Sequence, residues 1–186
     1  QRRRQNQRLE GLFTPSTDLA LLHRHEAGIT SFLMCRAPYL WARVARWVNN
    51  YDKPFTFRCP SHHSIGTVTS NHDNKHEDRV WDFNCKNTFS KAATCSWSGD
   101  VNHFDKQFQY LCPNGAVISG MGSYHDNKKE DRRWKYLCCF GEKKVQKNCK
   151  WTNYVNDFDK YLKWNVPSDR FLVGVDSYHD NKKEYV

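Results

Sequence analysis

The sequence predicts an all-β, disulfide-stabilised domain built from three internal repeats. Three observations predict it: a unit of about 53 residues that returns three times, period-two alternation in the strand that follows its turn, and eight cysteines placed partly in repeat register. Repetition on this scale points to one supersecondary unit used three times. Chemistry present in every copy then reads as scaffold or multivalent surface rather than as an active site.

The most regular part of the unit is Ser-x-His-Asp-Asn-Lys-x-Glu. It occupies Ser70–Glu77, Ser123–Glu130 and Ser177–Glu184, at offsets of 53 and 54 residues. Upstream, Val48-Asn49 with Asp52-Lys53 returns as Val101-Asn102 with Asp105-Lys106 and as Val155-Asn156 with Asp159-Lys160. Tyr51, Phe104 and Phe158 share one aromatic position, and Phe57, Tyr110 and Trp164 share another. Cys59-Pro60 returns as Cys112-Pro113, where the third copy has Val166-Pro167. Downstream, the run from Asp78 to Cys85 returns as the run from Asp131 to Cys138, while the third copy is expected to be cut short at Val186.

Each element follows from this pattern. Ile65 and Val68, Ile118 and Met121, and Leu172 and Val175 supply the apolar positions of a strand ahead of the turn. His-Asp-Asn-Lys then forms a hairpin loop, being rich in residues that tolerate left-handed angles and bond their own backbone. In the return strand Arg79, Trp81, Phe83 and Cys85 alternate, as do Arg132, Trp134, Tyr136 and Cys138, which is the pattern of a half-buried strand. Arg and Trp share a face there, so the guanidinium is expected to lie on the indole. Helical periodicity shows only weakly, at Tyr39–Val48. Pseudo-threefold symmetry is expected, in a trefoil-like or prism-like arrangement.

Eight cysteines, several of them in repeat register, imply an oxidising, extracellular compartment. Zinc is disfavoured, since no C-x₂-C pair exists. The period proposes Cys59–Cys85 and its copy Cys112–Cys138, with Cys95–Cys139 joining the start and end of the second unit. Each bond would stabilise by roughly 2–4 kcal/mol, mainly by restricting the unfolded chain. Cys149 aligns with Cys95, so its repeat partner falls in the absent end of the third unit; Cys35 is the other thiol left, with no repeat logic to join the two. No N-glycosylation sequon occurs.

Composition shifts near Arg46. Residues 1–46 hold eight Arg, no Lys and three acidic residues, for +5; residues 47–186 hold five Arg, sixteen Lys and seventeen acidic residues, for +4. Residues 1–46 are therefore read as a basic Arg-rich segment outside the fold, and 47–186 as the three-repeat domain. A polyanion-binding basic arm and an integral helix are the other readings of the segment. Its apolar stretches are broken by His23, Arg24, His25 and Glu26, which does not make a clean signal peptide.

The unit V-N-x-[YF]-D-K, C-P, S-x-H-D-N-K-x-E-D-R-x-W-x-[FY]-x-C resembles the dermatopontin family. The resemblance rests above all on Asp78–Cys85 and Asp131–Cys138 and covers residues 47–186. The His-Asp-Asn-Lys turn is closest in character to invertebrate members of the hemagglutinin and amebocyte-aggregation type. The resemblance implies a secreted, non-enzymatic protein of matrix or body fluid, tied to cell adhesion, aggregation, and proteoglycan and collagen binding. Two departures stand out. The third unit lacks its D-R-x-W strand, leaving a sheet edge open, and the Tyr-rich acidic N-terminus typical of vertebrate members is absent.

Net charge of +9 favours acidic partners such as proteoglycans, sulfated glycosaminoglycans or anionic cell-surface glycans. Candidate contacts are Lys75, Lys128, Lys129, Lys182 and Lys183 beside the turns, with Arg133 and Lys135 facing outward on their strand; the bland reading is that they keep exposed turns soluble. A sugar site is the alternative, built from His72, Asp73 and Asn74, from His125, Asp126 and Asn127, and from His179, Asp180 and Asn181, with Tyr124 or Tyr178 under a sugar ring. Its own bland reading is a hairpin turn held by Asp and Asn side chains. Calcium is disfavoured, because Asp73-Asn74 with Glu77-Asp78 matches no EF-hand spacing and Lys75 intervenes. No singular nucleophile stands out, so no catalysis, cofactor or metal is expected. Nucleic-acid binding and membrane insertion are not expected of a disulfide-bonded extracellular β-domain.

Overall fold

The computed structural model describes residues 31–35, 47–142 and 148–180. Its strands run in chain order: β1 (Ser31–Cys35), β2 (Phe55–Arg58), β3 (His63–Asp73), β4 (Asp78–Asn87), β5 (Thr94–Trp97), β6 (Phe108–Leu111), β7 (Val117–Asp126), β8 (Asp131–Phe140), β9 (Lys150–Trp151), β10 (Leu162–Asn165) and β11 (Phe171–Ser177). Among the described residues there is no α-helix, and the expectation of an all-β fold is met. Most of the weak helical pattern, residues 39–46, lies outside the described residues.

The predicted hairpins form as β3–β4 and β7–β8, each antiparallel and each closed by an aspartate pair, Asp73 opposite Asp78 and Asp126 opposite Asp131. Their third strand comes from another unit. Strand β2 of the first unit pairs with β7 of the second, β6 of the second with β11 of the third, and β10 of the third with β3 of the first. The exchange is cyclic, so no unit completes its sheet alone. The strand orders are β6-β11-β1-β9, β10-β3-β4 and β2-β7-β8-β5. Strand β1 lies ahead of the boundary drawn at residue 47, yet it pairs with both β11 and β9.

Every apolar residue predicted for the strand before the turn is buried: Ile65, Val68, Ile118, Met121, Leu172 and Val175. Trp81 and Trp134 meet edge to face at 4.9 Å, joining the first and second units through one core. The three predicted disulfides are present: Cys59–Cys85, Cys112–Cys138 and Cys95–Cys139. Cys138 and Cys139 reach different partners because successive strand residues point to opposite faces.

Two expectations are corrected. The return strand of the first unit is not half-buried: Val80, Asp82 and Lys86 on its second face are covered as well. Lys86 is enclosed beneath the loop before β11, where its amine donates to the carbonyls of Pro167 (3.0 Å) and Arg170. Burial lowers the Lys86 pKa to about 8, partly offset by Asp169. The arginine of the repeat also does not stack on its tryptophan. Arg132 lies over Phe55 of the first unit, 5.9 Å from the ring centre, because its charged end is drawn into that unit's turn.

The Val-Asn pair now has a physical role. Val48 N–H donates to Trp81 O (2.7 Å), Trp81 N–H donates to Asn49 Oδ1 (2.8 Å), and Asn49 Nδ2 donates to Arg79 O (3.0 Å). Val101 and Asn102 repeat this on Trp134 and Arg132 at 2.8, 2.8 and 2.9 Å. An asparagine amide thus continues the ladder where the backbone itself turns away. Asn156 has no D-R-x-W strand beside it among the described residues, and its Nδ2 donates to Asp157 O at 3.2 Å. Asn102→Ala is expected to cost about 2–3 kcal/mol, since it strands two buried backbone groups, whereas Asn156→Ala should cost under about 1 kcal/mol. Urea unfolding of the two variants checks this; equal losses would contradict the assignment.

Candidate functional site

The repeated phrase is divided between inside and outside. His72 and Asp73 end β3, and the loop proper is Asn74–Glu77. Asp73 Oδ1 accepts the backbone N–H of Lys75 (2.9 Å) and His76 (3.1 Å), and Asp126 Oδ1 accepts those of Lys128 (2.8 Å) and Lys129 (3.1 Å). Each aspartate therefore holds its own turn. The left-handed residue is the glutamate that closes each loop, Glu77 (φ 47°) and Glu130 (φ 49°), rather than any of His-Asp-Asn.

This closure leaves Asn74, Lys75, Asn127, Lys128 and Lys129 exposed. Lys129 Nζ comes within 3.9 Å of Asp105, a weak contact at a half-exposed ammonium. Arg133 is held more firmly. It sits over Phe104 (5.9 Å), donates to Asn102 O (2.8 Å) and lies 3.6 Å from Asp100. Lys135 spans the Trp97 ring at 5.3 Å. Asn181, Lys182 and Lys183 lie outside the described residues, and Asp180 is half-buried. Tyr124 is exposed, but its ring meets Phe104 edge to face at 6.0 Å and its hydroxyl donates to Asp100 (3.4 Å). Tyr178 packs edge to face on Phe158 at 5.9 Å.

All three imidazoles of the phrase point inward, with side-chain exposures of 0% for His72, 0% for His125 and 3% for His179. Each meets the aspartate of another unit's Asp-Lys pair. His72 Nε2 lies 3.3 Å from Asp159, His125 Nε2 lies 3.8 Å from Asp52, and His179 Nε2 lies 3.7 Å from Asp105. Those aspartates hold left-handed backbone, with φ of 62°, 59° and 55° for Asp52, Asp105 and Asp159. The turns are braced by the next residues of the phrase, since Asp78 and Asp131 accept the N–H of Asp52 and Asp105, each at 2.7 Å.

The arginines complete the junctions. Arg132 donates to both oxygens of Asp78 at 2.7 Å and to Lys53 O at 3.1 Å, all in the first unit. Arg79 reaches Lys160 O of the third unit at 2.7 Å. Burial alone would raise the Asp78 carboxyl, but hydrogen bonds from His125 and Arg132 and the Arg132 charge outweigh it and hold it well below the usual carboxylate range. Glu130, 3.5 Å from His125, is pushed upward chiefly by burial, against the pull of that imidazole. Sequence reasoning gave Asp52, Asp105, Asp159, Arg79 and Arg132 no inter-unit role, although their repetition beside the phrase was the signal for one.

The arrangement contains buried ion pairs and exposed ammonium groups. The Dermatopontin family model matches residues 49–185. The chain is 44% identical over 140 residues to the hemagglutinin/amebocyte aggregation factor of Limulus polyphemus, covering 74% of this chain and 81% of that protein. It is 39% identical over 142 residues to Millepora cytotoxin-1 of Millepora dichotoma, covering 76% of this chain and 64% of that longer protein. It is 37% identical over 134 residues to the dermatopontin of Biomphalaria glabrata, covering 72% of this chain and 90% of that protein. None of these names is that of an enzyme. No solved structure matches.

Asp78→Asn leaves Arg132 buried without its counter-charge and is expected to cost roughly 3–5 kcal/mol at pH 7. Because the folded carboxyl titrates below its unfolded value of about 4, its contribution is present above that pH and is lost as pH falls toward the folded value. Urea midpoints measured from pH 7 downward should show an acid limb that is shallower in Asp78→Asn. An identical limb in both proteins would contradict the pairing.

Proposed function

Because the chain belongs to the dermatopontin family, we propose that it is a secreted, non-enzymatic adhesion or aggregation protein whose lysine-bearing turns engage anionic glycans or proteoglycans multivalently. The observation that carries this reading is the division of the repeated phrase. The histidines are buried and the aspartates are taken up in closing the turns, while Lys75, Lys128 and Lys129 stand exposed on those side-chain-closed loops. Net charge of +9 draws polyanions to such a surface. By sequence alone, Lys182 and Lys183 of the third copy of the phrase are assigned the same role. Arg133 and Lys135, lying on aromatic faces, act as secondary contacts.

Three disulfides among the described residues suit an oxidising compartment, which supports secretion. The cyclic pairing of β2, β6 and β10 supports reading the three units as a pseudo-threefold platform of the trefoil or prism kind. Weak sites displayed together gain avidity without strong single contacts, which suits aggregation of cells or matrix fibres such as collagen. The Limulus relative is named for hemagglutination and amebocyte aggregation.

A sugar-specific lectin is the second reading, favoured by the exposure of Tyr124, Asn74 and Asn127. Buried imidazoles cannot reach a surface ligand, so that site would consist of Asn74, Asn127 and Tyr124 without His72, His125 or His179. A purely structural matrix role would need neither site. On a heparin column, Lys75→Glu, Lys128→Glu and Lys129→Glu are expected to lower the eluting salt stepwise while leaving the urea midpoint unchanged. Elution unaffected by all three together would refute the lysine-turn mechanism, and hemagglutination blocked by simple sugars alone would favour the lectin.

A further inference from the structure

The second unit has a complete four-strand sheet, β2-β7-β8-β5, in which β8 is the return strand of the hairpin and β5 flanks it. The sheet around the third unit has the order β6-β11-β1-β9. Strands β6, β11 and β9 occupy the places of β2, β7 and β5, so β1 stands where β8 stands.

The register makes the equivalence specific. Strand β8 pairs with β7 as Cys139 to Val117, Cys138 to Ile118, Leu137 to Gly120, Tyr136 to Met121 and Lys135 to Gly122. Strand β1 pairs with β11 as Cys35 to Phe171, Met34 to Leu172, Leu33 to Gly174, Phe32 to Val175 and Ser31 to Asp176. Every partner on β11 lies 54 residues after its counterpart on β7, and the register shifts at the same step in both ladders. The other edge agrees independently. Trp97 pairs with Leu137 and Ser96 with Cys138, while Trp151 pairs with Leu33 and Lys150 with Met34. A one-residue slip would have reversed every side chain, so agreement on both edges is not a property of arbitrary strand pairing.

The sequences correspond as well. Phe32-Leu33-Met34-Cys35 matches Tyr136-Leu137-Cys138-Cys139 in aromatic, leucine and final cysteine. Continuing the β1–β9 ladder by one residue sets Cys149 opposite Cys35, as Cys95 is set opposite Cys139, its disulfide partner. Cys149 is disulfide-bonded, and the other six cysteines pair among themselves.

We propose that residues 31–35 are the return strand of the third unit, supplied from ahead of the first unit and clasped by a Cys35–Cys149 disulfide equivalent to Cys95–Cys139. The edge of β11 is then a strand-acceptor slot, occupied by residues from ahead of the first unit. The clasp ties the Arg-rich residues that precede it to the third unit.

Non-reducing tryptic mapping of the full monomeric chain tests this. Peptide 25–36 should emerge linked to peptide 148–150. Native hydrogen exchange should show the amides of 32–35 slowed on the order of 100-fold or more relative to an unstructured peptide. In Cys35→Ser, Cys149 should become alkylatable. An alkylatable Cys35 in the native chain, or Cys149 bonded to a second copy, would overturn the clasp. Unprotected amides at 32–35 would overturn the strand even if the disulfide were found.

Discussion

The structure depends on a charge that one unit buries inside another. Arg132 leaves its own hairpin and donates to both oxygens of Asp78 and to the Lys53 carbonyl, in a junction where neither charged side chain meets solvent. A buried ion pair of this kind is weak evidence for net stability, because desolvation offsets much of the attraction. Its importance is specificity: either partner alone would be a bare charge in the core. The first and second units must therefore dock in one relation, and Arg79 imposes a similar relation between the first and third.

Other repeated residues follow from that constraint. The left-handed Asp52 and Asp105 expose N–H groups that Asp78 and Asp131 accept, and they present their own carboxylates to a buried histidine from another unit. Histidine, two aspartates and arginine thus form a junction between units, repeated because the junction is repeated. What remains of the phrase for a ligand is its lysine-bearing crest. A scaffold role for the inner half and a binding role for the outer half are compatible, since rigid closure by Asp73 and Asp126 fixes where the ammonium groups stand.

Much of this was legible in the sequence. Apolar positions repeated from unit to unit identified the core residues of β3, β7 and β11, and repeat register identified three disulfides. Partner choice was not legible. Local alternation says which face of a strand is buried but not which distant edge it meets, so the exchange of β2, β6 and β10 between units left no local trace. The direction of Arg132 was missed for the same reason, because Phe55 and Lys53 lie in another unit. Histidine burial was hidden by its polar neighbours. Ser31–Cys35 went unread because it carries the end of the return-strand pattern without the Asp-Arg-x-Trp that makes the pattern recognisable.

The repeated phrase is divided, with its histidines buried at the junctions between units and its lysines exposed. Titrating isotopically labelled protein with a heparin oligosaccharide, and following backbone amide and imidazole resonances together, tests it most directly. Saturable shifts are expected at Lys75, Lys128 and Lys129, with the imidazoles of His72 and His125 unmoved. Shifts concentrated at those imidazoles, with the lysine turns silent, would contradict it.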